Sequence, residues 1–175
     1  MPQASGLQFT ATIGEYSSDH FSVVGFALTE RLSELFQGRL DLASTDPSVV
    51  ASKVLEQPVD LVIWQDRAPL RRFTGVVSEF ARGDSGHRRT RYELVFRPPL
   101  WRLALMHNSR IFQNRGTDEI VRTLLEERGV VDTVFDLERR PEEREYCVQH
   151  RESDLAFVER LAAEEGWHYR YQHGS

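Results

Sequence analysis

The feature that most constrains this chain is a change of hydrophobic period near its middle. Up to the Arg97-Pro98-Pro99 run the apolar residues recur mostly every second position; beyond it they recur at helical spacing. Leu7, Phe9, Ala11 and Ile13 alternate with Gln8, Thr10 and Thr12. The run 21–30 is β-rich, with Val24, Phe26 and Leu28 expected on one face. Segments 38–44, 59–64 and 70–81 continue the alternation, and 88–96 sets Tyr92, Leu94 and Phe96 on one side of a strand. The glycine-containing cluster 82–87 between the last two reads as the turn of a hairpin. One short helix is expected to interrupt, with Asp46 as its cap, Pro47 in its first turn and Pro58 beyond its end. Strands of this number and spacing predict a small antiparallel β-barrel over residues 1–100.

The second half, 101–175, reads as an α+β domain with two helices. Residues 117–129 carry Ile120, Val121, Leu124 and Leu125 as a core stripe. Thr117 is the expected cap, Asp118 and Glu119 suit the positive end, Arg128 the negative end, and Gly129 the stop. A charged loop over 136–145 precedes a strand at 145–150. A second helix over 153–166 is capped by Ser153 and stopped by Gly166. A last strand is expected at 167–171, alternating Trp167, Tyr169 and Tyr171 with His168 and Arg170. Its aromatic face needs a partner that no later strand supplies, so this domain is expected to be truncated at its C-terminal end, or completed by another chain. The fold class is mixed α+β and β-rich.

Composition narrows the functional classes. With 40% hydrophobic and 28% charged residues the chain is globular, not disordered or fibrous. The net charge of −5 argues against nucleic acid and anionic membrane as partners. No apolar run approaches a membrane span, and the first residues do not resemble a secretory leader. One cysteine, Cys147, excludes an internal disulfide and points to a reducing compartment.

Catalytic patterns are weak throughout. Gly83-Asp84-Ser85-Gly86 resembles the nucleophile segment of chymotrypsin-like proteases, but His87 follows it, the chain is too short for that fold, and a hairpin turn explains it. His150, His168 and His173 lack metal-site spacing, and Cys147 alternates on a strand as a small core residue. The pairs Glu126/Glu127, Glu142/Glu143 and Glu164/Glu165 are adjacent in sequence, which is expected to point their side chains apart. Arg82, Arg88, Arg89 and Arg91 flank one hairpin, diluted by Glu79, Asp84 and Glu93. We therefore expect no catalytic, cofactor-binding or metal-binding residues and no cofactor. A hydrolase using Ser85 or Cys147 is the alternative from another class.

Four ordered blocks, 30–42, 71–81, 92–121 and 144–171, resemble the amino-terminal region of the VgrG spike proteins of the bacterial type VI secretion system. The most specific residues are Arg97, Pro98, Leu100, Trp101 and Leu103; Ser109 to Gln113; and Arg144, Tyr146, Val148 and Gln149, followed by Glu152 to Phe157, Glu159 to Leu161 and Glu164 to Gly166. The resemblance implies a phage tail hub-like barrel with an α+β insertion and a structural, non-enzymatic role in a puncturing device. It implies a homotrimer in the full-length protein, seated on rings of the Hcp tube, with baseplate proteins and effectors as further partners. It also implies assembly in the bacterial cytoplasm and release through the apparatus without a signal peptide. The hub of a phage or phage-derived contractile tail, as in late control protein D, is the nearest alternative. Trp101, Phe112, Tyr146, Phe157 and Trp167 are expected in the core, and Arg110 and Arg144 in salt bridges or subunit contacts.

Overall fold

Alternating side chains in the first hundred residues build six strands: β1 (Leu7–Ile13), β2 (Ser22–Thr29), β3 (Gln37–Ser44), β4 (Pro58–Gln65), β5 (Ala68–Ser85) and β6 (Thr90–Arg97). In the computed structural model, which describes residues 6–174, they form one antiparallel sheet in the order β1-β4-β5-β6-β3-β2. The sheet curls around its apolar face. Ala11, Ile13, Leu40, Leu42, Leu61, Phe73, Val77, Tyr92, Leu94 and Phe96 all lie in one buried cluster. Each large side chain fully buried this way contributes about 1.5–3 kcal/mol. The edge strands β1 and β2 share no ladder among the described residues, yet the Phe9 and Phe26 rings meet with centroids 5.2 Å apart. The expected barrel is thus a curled half-barrel whose two edges meet through aromatic side chains.

Local departures from the simple alternation have physical causes. A bulge between Val23 and Gly25 turns Val24 outward, 56% exposed, while Val23 packs against the core with Phe26 and Leu28. One extra residue in a strand inverts the faces on either side of it. The short helix contracts to three 3-10 residues, Ala51–Lys53. Asp46 caps no helix: its carboxylate accepts from the Ser48 N–H at 2.8 Å and the Ser48 hydroxyl at 2.6 Å, an Asx turn in which the side chain competes with helix formation. Strand β5 runs through most of the predicted turn, which tightens to Gly86–Arg89, with the Gly86 N–H donating to the Arg89 carbonyl at 2.9 Å.

A second compact unit comprises Arg31–Leu35 and Pro99–Arg170, and residues 171–174 belong to the first. It holds a 3-10 helix (Pro99–Leu105), β7 (His107–Arg115), α1 (Thr117–Glu127), β8 (Arg144–Ser153) and α2 (Asp154–Glu164). Strands β7 and β8 pair antiparallel, with Ile111 opposite Val148 and Phe112 opposite Cys147. Ile120, Leu124, Leu103, Phe157 and Leu161 have no exposed surface. The Phe112 and Phe157 rings stack at 5.8 Å. Ser153 caps α2 by accepting from the Ala156 N–H at 3.1 Å, and Gly129 and Gly166 take the left-handed φ of +68° and +72° that ends a helix. Thr117 does not cap α1; Gly116 is the cap, and the buried Thr117 hydroxyl donates to Glu165 at 2.7 Å.

The expected strand at 167–171 forms no ladder. Its alternation survives: Trp167, Tyr169, Tyr171 and His173 are half-buried and the residues between them exposed. Tyr169 bonds Ser33 twice: its carbonyl accepts from the Ser33 N–H at 3.0 Å and its N–H donates to the Ser33 hydroxyl at 3.3 Å. Tyr171 packs on Phe36 at 5.2 Å, within the first unit's core. The aromatic face therefore finds partners in this chain itself.

Candidate functional site

The residues that looked most catalytic each sit in an ordinary structural setting. The Ser85 hydroxyl contacts Arg82 at 3.0 Å and Thr90 at 3.2 Å, within the hairpin. His87 is exposed in the turn that follows. Cys147 is buried on the inner side of β8, and burial pushes its thiol pKa up, against the smaller opposing pull of Arg144 and Arg160. A neutral thiol is a poor nucleophile. His150 and His168 are exposed, whereas His173 lies between the rings of Phe36 and Phe73. Among the described residues no group of three or more His, Cys, Asp and Glu is placed to hold a metal ion. Around the hairpin, Arg89 reaches Ser22 at 3.1 Å.

Polar side chains converge instead at Asp154, the first residue of α2, whose side chain has no exposed surface. Its carboxylate accepts from Asn108 at 2.8 Å, Gln149 at 2.9 Å and Arg128 at 2.8 and 3.1 Å, with Arg110 3.8 Å away. Burial alone would raise its pKa, but these hydrogen bonds and the Arg110 charge outweigh that and hold it below the usual carboxylate range. Arg110 itself bonds Glu127 at 2.6 Å. One buried anion at the start of α2 thereby joins both strands of the unit and the residue that follows α1.

A second ionic chain runs along α2. Arg144 on β8 donates to Glu164 at 2.5 Å and to Glu165 at 2.8 Å. Arg160 donates to Glu164 at 3.0 Å and to Glu152 at 2.7 Å. Adjacent Glu164 and Glu165 were expected to diverge; both converge on Arg144, because a long guanidinium fork spans the helix end. The Arg144 hydrogen bond depresses the Glu164 pKa, and the Thr117 hydroxyl followed by Arg144 depresses that of Glu165. Ionised, fully paired carboxylates have no proton to donate at neutral pH. These pairs tie β8 to α2.

The opposite face of the two-stranded sheet has a different character. Ser109, Ile111 and Gln113 on β7 and Tyr146, Val148 and His150 on β8 are all exposed. Ile111 is 67% exposed and Tyr146 59%, so Tyr146 is not the core residue that its aromaticity suggested; Phe112 and Phe157 are buried, and Trp101 and Trp167 half-buried. None of these six residues carries a formal charge at pH 7 with His neutral, in a chain that is 28% charged; Arg115 and Glu127 border Ile111 and Gln113 at one end. Charge depletion with exposed aromatic and aliphatic groups is the composition of an interface core.

The family described as "Phage tail baseplate hub (GPD)" matches residues 29–175. The chain is 39% identical over 176 aligned residues, 95% of its length, to the type VI secretion system spike protein VgrG3 of Vibrio cholerae, of which this is 17%. It is 44% identical over 166 residues to the spike protein VgrG2b of Pseudomonas aeruginosa, covering 95% of this chain and 16% of that one. Among solved structures, an Escherichia coli protein described as a component of the type VI secretion system, with structural similarity to T4 bacteriophage tail proteins, superposes with a TM-score of 0.72 at 28% identity. That match covers 93% of this chain and 41% of the other. A prophage tail protein of Shewanella oneidensis, 12% identical over 91% of this chain and 49% of its own, shares the fold with a TM-score of 0.63. The chain spans about a sixth of the length of the two spike proteins.

Proposed function

This chain belongs to the phage tail baseplate hub family, and from that membership we propose that it is the amino-terminal hub region of a type VI secretion spike protein. The observation that carries this reading is the identity of 39–44% to spike proteins across 95% of the chain. Residues 1–100 act as the tube-type barrel domain and 101–175 as an α+β domain. The full-length protein forms a homotrimer on the Hcp tube, contacts baseplate proteins and helps to deliver effectors. It assembles in the bacterial cytoplasm and leaves through the apparatus without a signal peptide. It contributes no enzymatic step in this region: its ionic chains join elements, and its uncharged β7–β8 face has the make-up of a protein contact. No helix among the described residues is long and apolar enough to cross a membrane.

Deletion of the gene tests the reading. The expected result is loss of Hcp from the culture medium, restored by the wild-type gene and by Ser85→Ala and Cys147→Ala variants. Hcp export that continues unchanged without the gene would overturn the secretion role and favour the hub of a phage-type tail. Loss of export in the Ser85→Ala variant, with the protein folded, would favour the hydrolase.

A further inference from the structure

Strand β5 is 18 residues long and β6 only 8. Their ladder ends with Arg97 opposite Val76, and residues 68–75 of β5 take their register from β4. Pro98 and Pro99 stop β6, since proline has no N–H to offer a ladder. Residues 171–174 lie in the track that β6 leaves. The Thr74 N–H donates to His173 Nδ1 at 3.1 Å, and a Cβ on Gly174 would stand 4.0 Å from Arg72 Cδ. As the tail's numbers rise it passes from residue 74 of β5 towards 72, antiparallel to β5 and in the sense of β6.

The tail is anchored against β5 through its side chains. The His173 ring meets Phe36 at 4.8 Å and Phe73 at 5.1 Å. Its Nε2 faces Glu30 Oε1 at 2.8 Å. With Nδ1 accepting from Thr74, the neutral ring carries its proton on Nε2 and donates it to Glu30, which selects one tautomer. Tyr171 and His173 are half-buried and Gln172 and Gly174 exposed, the alternation of a strand.

We propose that residues 171–174 open a further strand of the first unit's sheet, completed by the polypeptide that continues from Ser175 in the full-length protein, along residues 68–72 of β5. The chain covers 16–17% of its spike-protein relatives, ample length for such a continuation, and the tail already points along the track. A strand added to a sheet edge gains main-chain hydrogen bonds and removes an aggregation-prone edge. This inference rests on the fold and not on the secretory role.

Hydrogen exchange measured by mass spectrometry on the full-length protein tests it. One variant replaces the four residues after Ser175 with Gly-Pro-Gly-Pro; another is His173→Ala. The wild type is expected to exchange about tenfold or more slowly over 68–72 than the Gly-Pro variant, with 76–82 unchanged. His173→Ala is expected to exchange faster over the same segment than the wild type. Equal exchange over 68–72 in wild type and Gly-Pro variant would overturn the proposal, as would a gene that ends at Ser175. The Gly-Pro variant leaves every described residue intact, so it decides the matter even if His173→Ala does not fold.

Discussion

Asp154 shows how one buried charge organises a small unit. Replacing it with Ala strands the Arg128 charge, leaves Asn108 without its acceptor and leaves Gln149 only the Glu152 carbonyl, while Arg110 keeps its bond to Glu127. Breaking a buried pair this way costs about 3–5 kcal/mol, so Asp154→Ala is expected to lower the urea midpoint far more than a surface substitution. The pH dependence has a definite sign. The folded carboxylate titrates below the ordinary value of 3.8, so its stabilisation is complete above that value and lost as pH falls through the folded one. Acid titration of Asp154→Asn against wild type checks this: the variant is expected to lack that portion of the acid-induced loss. Cys147 gives a second test. Its buried, raised-pKa thiol is expected to resist a disulfide reagent at pH 8 in the native protein and to react at once in guanidinium. Rapid labelling of the native thiol would contradict the placement of Cys147 inside.

At the scale of elements, close packing against glycine fixes the barrel. Gly38 on β3 lies opposite Phe96 on β6, and a Cβ there would come within 2.1 Å of the Phe96 ring. Phe96 is itself fully buried, so the ring has nowhere to retreat. Gly38→Ala is expected to cost about 1–3 kcal/mol or more by overpacking, read as a fall in thermal midpoint. Ser153→Ala removes the α2 cap and is expected to cost about 1 kcal/mol in the same assay. Elements with strict alternation or a clean helical stripe were legible from sequence: β6 through Tyr92, Leu94 and Phe96, and α2 through Ser153 and Gly166. Strand β7 was not, because its inward residues Asn108 and Arg110 are polar, turned toward Asp154, while Ile111 points to solvent. Burial there follows charge pairing, and a hydropathy period cannot report it. The bulge beside Val24 was hidden for a related reason: Val23 and Val24 are adjacent β-formers, so the strand reads equally well in either register. The convergence of Glu164 and Glu165 on Arg144 depends on a partner 20 residues away, which spacing alone does not reveal.

For the whole molecule, the irregular stretch between α1 and β8 is the natural point of attack. Val134 is 94% exposed and Val131 70%. Limited trypsin is expected to cut first after Arg139, since Pro141 protects the Arg140 bond. The nicked protein should elute as one species, because β7 and α1 on one side of the cut pair with β8 and α2 on the other. Early cleavage within the first unit, or separation of the fragments, would contradict this division. The first unit itself is assembled from distant stretches of chain: Tyr171 and His173 seal a core otherwise built before Pro98. During synthesis on the ribosome the barrel must therefore wait, its Phe36 and Phe73 rings uncovered, until the whole intervening unit has emerged. A pause or premature stop within that stretch would leave a sticky nascent half-barrel for chaperones to shield.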